Sequence, residues 1–172
     1  MVSSFVVLGG FLDFGIGNAT LNQLAAAHAK ADSVAETTLI SASRRLLTRI
    51  GLSIATLAAI ACAFVPWHAA LGLPASASAE SRIVVTVVLL LMALAVPLSL
   101  TARVQLARGQ GHTAFAWQAV GQIGALAVTM LVSTVSHRLV VFTTVSAALP
   151  VIAALANTVI SILDEVGLVY DC

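Results

Sequence analysis

Four long stretches of this chain contain no Asp, Glu, Lys or Arg, and they limit its possible folds more than any other feature. The stretches are residues 50–79, 83–102, 109–137 and 139–163. Each reaches the roughly 20 residues that an α-helix needs to cross about 30 Å of hydrocarbon. The runs are too continuous for barrel strands, and backbone in lipid must satisfy its own hydrogen bonds. The pattern therefore predicts an all-α, polytopic bundle of transmembrane helices.

The composition excludes a soluble domain. Hydrophobic residues make up 60% of the chain and charged residues 9%, whereas soluble globular chains are roughly 25% charged. The net charge of +1 offers no concentrated basic face, so we expect no nucleic-acid partner.

We predict about five helices in a single transmembrane lobe that covers residues 1–172. A partial first helix leads to a turn near residues 29–34, and a loop spans 66–81. The predicted spans lie near residues 3–18, 47–66, 83–105, 114–134 and 139–162.

The basic residues predict the orientation of the bundle. Six of the eight fall in two connections on one side, and Arg82 and Arg138 lie on the other side. The positive-inside rule makes the six-charge side cytoplasmic. We therefore expect a multi-pass protein with its N-terminus outside and its C-terminus in the cytoplasm. A partial first helix that starts outside, together with a C-terminal tail that has no positive charges, indicates a fragment truncated at both ends.

Three blocks of sequence resemble the bacterial polysaccharide (O-antigen) flippases of the multidrug/oligosaccharidyl-lipid/polysaccharide exporter superfamily. The block at residues 11–32 reads FLDFGIGNATLNQLAAAHAKAD and resembles the exit of the family's second helix. The block at 97–121 reads PLSLTARVQLARGQGHTAFAWQAVG and resembles the end of the fourth helix, the loop and the start of the fifth. The block at 149–160, LPVIAALANTVI, is similar to the sixth helix. The ending DEVGLVYDC departs from the family, where a basic loop follows.

The resemblance implies a fold and a function. The chain would correspond to helices two to six of one lobe, without the first helix and the second lobe. The implied activity is translocation of undecaprenyl-diphosphate-linked oligosaccharide across the bacterial inner membrane, for the biosynthesis of lipopolysaccharide and other surface polysaccharides. Membrane lipid, the lipid-linked oligosaccharide and polysaccharide-assembly proteins are the expected partners. Because such transport needs a cavity between two lobes, we expect no turnover from this chain alone.

Two alternatives remain for the function. A multidrug-type exporter fragment shares the helical arrangement but carries another cargo. A small membrane scaffold subunit would act through helix packing and transport nothing. An enzyme is not expected, because the sequence contains no catalytic constellation, and we expect no metal and no cofactor.

Four residues are candidates for substrate binding. Asp13 is an ionisable group close to an apolar run, which marks a functional position or a place at the interface. Arg45 and Arg49 share a helix face, where one could meet the diphosphate or both could hold the loop at anionic headgroups. Arg103 is a candidate for lining a vestibule, against simple snorkelling to the interface.

Helix bends are expected at four further positions. Gly15 and Gly17 permit a bend or close packing, and Pro97 and Pro150 fall inside predicted spans. Trp117 suits an interfacial belt better than stacking on a sugar.

Overall fold

The computed structural model describes residues 16–70, 72, 74–135 and 139–165, and these residues contain helices and no strand. The prediction of an all-α bundle is therefore confirmed, whereas most of the predicted span near residues 3–18 lies outside the described residues. The helices are α1 (Ile16–Ala29), α2 (Ser33–Phe64), the short α3 (Trp67–Ala70), α4 (Ser78–Ala107), α5 (Gly111–Val135) and α6 (Leu139–Glu165).

Four of these helices, α2, α4, α5 and α6, are long and apolar enough to cross a membrane. Each overlaps one of the four predicted full-length spans. Large apolar side chains on their outer faces are exposed, among them Leu57, Phe64, Ile123 and Leu131. Such faces suit a lipid environment, so the chain is a multi-pass membrane protein.

The bounds of α2 differ from the predicted span near residues 47–66. The helix begins at Ser33, where the Asp32 side chain caps it by accepting a hydrogen bond from the Ala35 amide at 2.9 Å. It ends at Phe64 because Val65 precedes Pro66 and is therefore extended. Its 32 residues make a rod of about 48 Å, so its first turns extend beyond a hydrocarbon layer of about 30 Å.

Two tight turns lie at one end of the bundle, which we call the basic end. The first confirms the predicted turn near residues 29–34: α1 stops at Ala29, and Ala31 has a φ of +53°. The second follows α4, where Gly109 has a φ of +76°. In both turns an amide reaches back five residues to a carbonyl, which satisfies the helix end in the manner of a Schellman motif.

At the opposite end of the bundle, the connection predicted as a loop from 66 to 81 contains helical segments. Helix α3 and a 3₁₀ turn at Ala75–Ala77 occupy most of the connection, and α4 begins at Ser78. The sequence run of small Ala and Ser residues belongs partly to the first turns of α4, because these residues tolerate a helix start.

Helix α4 is the centre of the bundle, since it packs against α1, α2, α5 and α6. Its contact with α2 is unusually close at Gly51, where an added Cβ would lie 2.7 Å from the carbonyl oxygen of Ala93 and 3.3 Å from Cδ of Pro97. Pro97 has no amide hydrogen to donate to that carbonyl four residues earlier. The glycine therefore lets α2 pack directly on the α4 backbone beside the proline.

A second glycine makes a similar contact between α5 and α6. An added Cβ on Gly121 would lie 3.0 Å from Cα of Pro150 and 3.0 Å from Cβ of Ala153. Both prolines predicted to bend helices thus lie inside continuous helices, each against a glycine of a neighbouring helix.

Candidate functional site

A cleft of about 580 Å³ opens among α1, α4, α5 and α6. Ala95, Leu98 and Leu106 form part of its apolar wall on α4. Its polar and aromatic lining residues are Asn18, Ser99, Arg103, Trp117, Gln118, Gln122 and Asn157. The described lining therefore combines one permanent cation, four side-chain amides, a hydroxyl and an indole.

Arg103 lies on α4 about one turn before that helix ends at Ala107. It is half-buried and shares the cleft-facing side of α4 with Ser99 and Leu106. Arg103 therefore lies in the wall of this cleft, and its predicted role in substrate binding stays a prediction. A guanidinium in such a wall presents several N–H donors to an anion.

The amides of α5 reach the cleft because of their spacing. Gln118 and Gln122 are four residues apart, so they lie one above the other on one helix face, and Trp117 adjoins them. The helix begins at Gly111, which places Gln122 about 16 Å along it, near the middle of a membrane span. Trp117 thus lines the cleft, although the sequence favours a place in an interfacial belt.

A polar seam between α4 and α6 borders the cleft. Gln105 and Asn157, 5% and 4% exposed, form a reciprocal amide pair: Nε2 of Gln105 donates to Oδ1 of Asn157 at 2.8 Å, and Nδ2 of Asn157 donates to Oε1 of Gln105 at 3.1 Å. Nε2 of Gln105 also donates to Oγ of Ser161 at 3.0 Å. One turn away, the hydroxyls of Thr101 and Thr158 are 2.9 Å apart.

A charged cluster ties the two turns of the basic end together. Nε of Arg108 donates to Oε1 of Glu36 at 2.7 Å, and Nδ1 of His28 lies 3.3 Å from Oε2 of the same carboxylate. Glu36 belongs to the first turn of α2, outside the apolar part of the helix. The hydrogen bond from Arg108 lowers the pKa of Glu36 below its usual value, against the opposing effect of burial. The two turns are therefore in contact at one end of the bundle. Of the six basic residues assigned to these two connections, Lys30 and Arg108 lie in the turns, and the other four lie within α2 and α4.

The other predicted site residues have different surroundings. Arg45 and Arg49 are exposed on α2, on roughly the opposite side of the helix from the buried Leu47. They do not line the cleft. Asp13 and Gly15 lie outside the described residues, and Gly17 falls in the first turn of α1.

The structure adds residues that are not among the predicted site residues: Asn18, Gln105, Gln118, Gln122 and Asn157. The sequence could have indicated three of them. Gln118, Gln122 and Asn157 are amides inside charge-free spans, where burying a polar group in lipid costs free energy. Only the packing shows that these three face one cleft.

The described residues contain no group of three or more His, Cys, Asp or Glu side chains that could hold a metal ion. Comparison with protein-family models, with curated protein sequences and with solved structures finds no match to this chain.

Proposed function

We propose that this chain forms a lobe of a bacterial inner-membrane flippase, and that its cleft receives the polar head of an undecaprenyl-diphosphate-linked oligosaccharide. The observation that carries the proposal is the cleft itself. It combines Arg103, four amides and Trp117 within a bundle of membrane-crossing helices.

The physical argument starts from the cost of polar groups in lipid. An arginine or an amide at membrane depth is costly when it faces hydrocarbon. A cleft whose wall contains several such groups is therefore more stable when it holds water or a polar ligand than when it holds lipid chains. Intramembrane polar residues of this kind commonly mark a substrate path.

The lining chemistry matches both parts of the proposed head group. A guanidinium binds phosphate oxygens through paired, charge-assisted hydrogen bonds, and Arg103 places such a group in the wall of the cleft. Side-chain amides donate to and accept from sugar hydroxyls, and the face of Trp117 suits the apolar side of a sugar ring. The polyprenyl tail can stay in the bilayer while the head moves.

A binding experiment can use the two tryptophans of the chain. Trp67→Phe leaves Trp117 as the single indole fluorophore, inside the cleft. We expect saturable changes in its emission when the protein, in lipid nanodiscs, is titrated with undecaprenyl-diphosphate-linked oligosaccharide. Arg103→Gln should weaken binding about tenfold or more, because a hydrogen bond to a charged group contributes about 1.5–3 kcal/mol.

Arg45→Gln and Arg49→Gln are the matched controls, since each removes one guanidinium outside the cleft. We expect their affinities to stay within about twofold of the parent. Equal binding of undecaprenol, which lacks the diphosphate, would contradict the proposal, as would a loss of affinity only in the two control variants. Binding of lipophilic cations instead would favour a multidrug-type exporter, and a tightly co-purifying protein without bound lipid-linked sugar would favour a scaffold subunit.

A further inference from the structure

The two amides of the α4–α6 seam differ in how many of their N–H groups have a hydrogen-bond acceptor. In a reciprocal pair each amide uses its carbonyl oxygen and one N–H, which leaves each with a second N–H. Gln105 gives its second N–H to Oγ of Ser161. Asn157 has no acceptor for its second N–H among the described residues, although its side chain is almost fully buried.

The direction of that second N–H follows from the pairing. The N–H used in a reciprocal pair lies on the same side of the amide as its carbonyl, so the other N–H points away from the partner. Because Asn157 is a lining residue and Gln105 is not, we infer that the side of the Asn157 amide turned away from Gln105 faces the cleft.

We propose that Asn157 is a ligand-binding residue of the cleft, which donates its second amide N–H to a diphosphate oxygen, and that Gln105 and Ser161 are positioning residues that fix this donor. The inference rests on the proposed function for the identity of the ligand. Arg103, on α4, and Asn157, on α6, would then hold the diphosphate between two helices.

The arrangement defines which changes should matter. A free asparagine can rotate its amide and offer either an oxygen or an N–H to the cleft. In this seam Oε1 of Gln105 accepts from Asn157, Nε2 of Gln105 donates to Asn157, and Oγ of Ser161 accepts the remaining N–H of Gln105. In this arrangement the remaining polar group of Asn157 is an N–H, which suits an anionic ligand.

The first measurement is made on the unmodified chain. In nanodiscs with ¹⁵N-labelled protein, the side-chain NH₂ signals of Asn157 are assigned by their loss in Asn157→Ser. Undecaprenyl diphosphate should shift the cleft-facing proton of this NH₂ group more than the proton bonded to Gln105. Undecaprenol should shift neither. A parallel titration with inorganic pyrophosphate separates a membrane-anchored diphosphate from a free one, because only the former should saturate at low concentration.

The second measurement compares affinities for undecaprenyl diphosphate. Asn157→Asp replaces the donor with a carboxylate beside the anion and should weaken binding at least tenfold. Gln105→Leu, which releases Asn157 without touching the ligand, should weaken it about fivefold, and Ser161→Ala about twofold. Thr158→Val is the matched control: it removes the neighbouring hydroxyl pair of the same seam and should leave affinity unchanged.

The outcomes separate this inference from the proposed function. If Arg103→Gln weakens binding but the Asn157 protons do not shift and Asn157→Asp binds normally, the donor role is wrong and the proposed cleft ligand stands. If Asn157→Asp weakens binding and Arg103→Gln does not, the donor role is supported and the assignment of the diphosphate to Arg103 is wrong. If undecaprenyl diphosphate does not bind at all, both are wrong. An equal loss of affinity in Thr158→Val would show that Asn157 acts through the packing of α4 against α6 and not as a donor to the ligand.

Discussion

The close approach between α2 and α4 at residue 51 depends on the absence of a side chain at Gly51. Any β-carbon there would lie 2.7 Å from a main-chain carbonyl oxygen, and main chain cannot rotate away as a flexible side chain can. Close approach through glycine is a common source of helix association in lipid, where no hydrophobic effect drives helices together. The α2–α4 interface should therefore be sensitive to a single methyl group.

We expect Gly51→Ala to lower the free energy of unfolding by about 1–3 kcal/mol, because α2 must move away from α4. Gly124→Ala is the control, since an added Cβ there meets nothing within 4 Å. Its effect should stay within about 0.5 kcal/mol. Reversible unfolding in mixed detergent micelles, followed by circular dichroism, measures both variants. Equal stability of the two variants would contradict the packing described here.

Single positions also show what the sequence can and cannot predict. Arg103 was a candidate because a lone arginine ending an apolar run is conspicuous, and it does line the cleft. Asn157 and Gln105 lie 52 residues apart in sequence, and neither carries a charge. Their pairing depends on how α4 and α6 are rotated against each other, which no local pattern records.

At the scale of elements, charge-free stretches located the spans but not the full helices. Helix α2 begins 14 residues before the predicted start at residue 47, because the polar segment from Ser33 onward has its own cap at Asp32 and continues the helix without a break. Hydropathy predicts which part of a helix lies in the membrane. The ends of the helix are set by its cap and by the residue before a proline, and these can lie outside the membrane. The polar extension of α2 is also what carries Glu36 to Arg108.

We expect the Glu36–Arg108 pair to hold the basic end together. A double-mutant cycle with Glu36→Gln and Arg108→Gln should give a coupling of about 0.5–1 kcal/mol, as for other partly shielded ion pairs. Because folding lowers the pKa of Glu36 below 4.5, its contribution to stability is complete above that pH and is lost as the pH falls through the lower, folded-state pKa. Thermal unfolding between pH 7 and pH 3 measures this loss.

Glu36→Gln provides the control for the pH series, because glutamine does not titrate. The variant should lose less stability than the parent over the acidic range. A coupling near zero, or identical pH profiles for parent and variant, would show that the contact adds nothing to stability.

At the scale of the whole molecule, the orientation in the membrane is the open prediction. The turns at the basic end and the α3 connection lie at opposite ends of the bundle, and an exposed residue marks each end: Gln110 and Ser76. With Cys62 and Cys172 replaced by serine, Ser76→Cys should react with a membrane-impermeant maleimide on intact spheroplasts. Gln110→Cys should react only after the membrane is opened, because the positive-inside rule places the basic end in the cytoplasm.

The reverse labelling pattern would overturn that orientation, and with it the direction of export that the proposed function requires. Labelling of both positions in intact spheroplasts would contradict the membrane-spanning arrangement itself. Detergent-solubilised protein, in which both cysteines should react, controls for intrinsic reactivity.

The central place of α4 has a consequence for the order of assembly during synthesis. Helices α1 and α2 leave the ribosome before α4, yet the surface that receives both of them belongs to α4, which is completed only at Ala107. Until then α2 must remain in the bilayer with its surface at Gly51 facing lipid. Its own backbone hydrogen bonds and its contact with α1 stabilise it there. Completion of α4 is therefore required before α1 and α2 can take their places in the bundle.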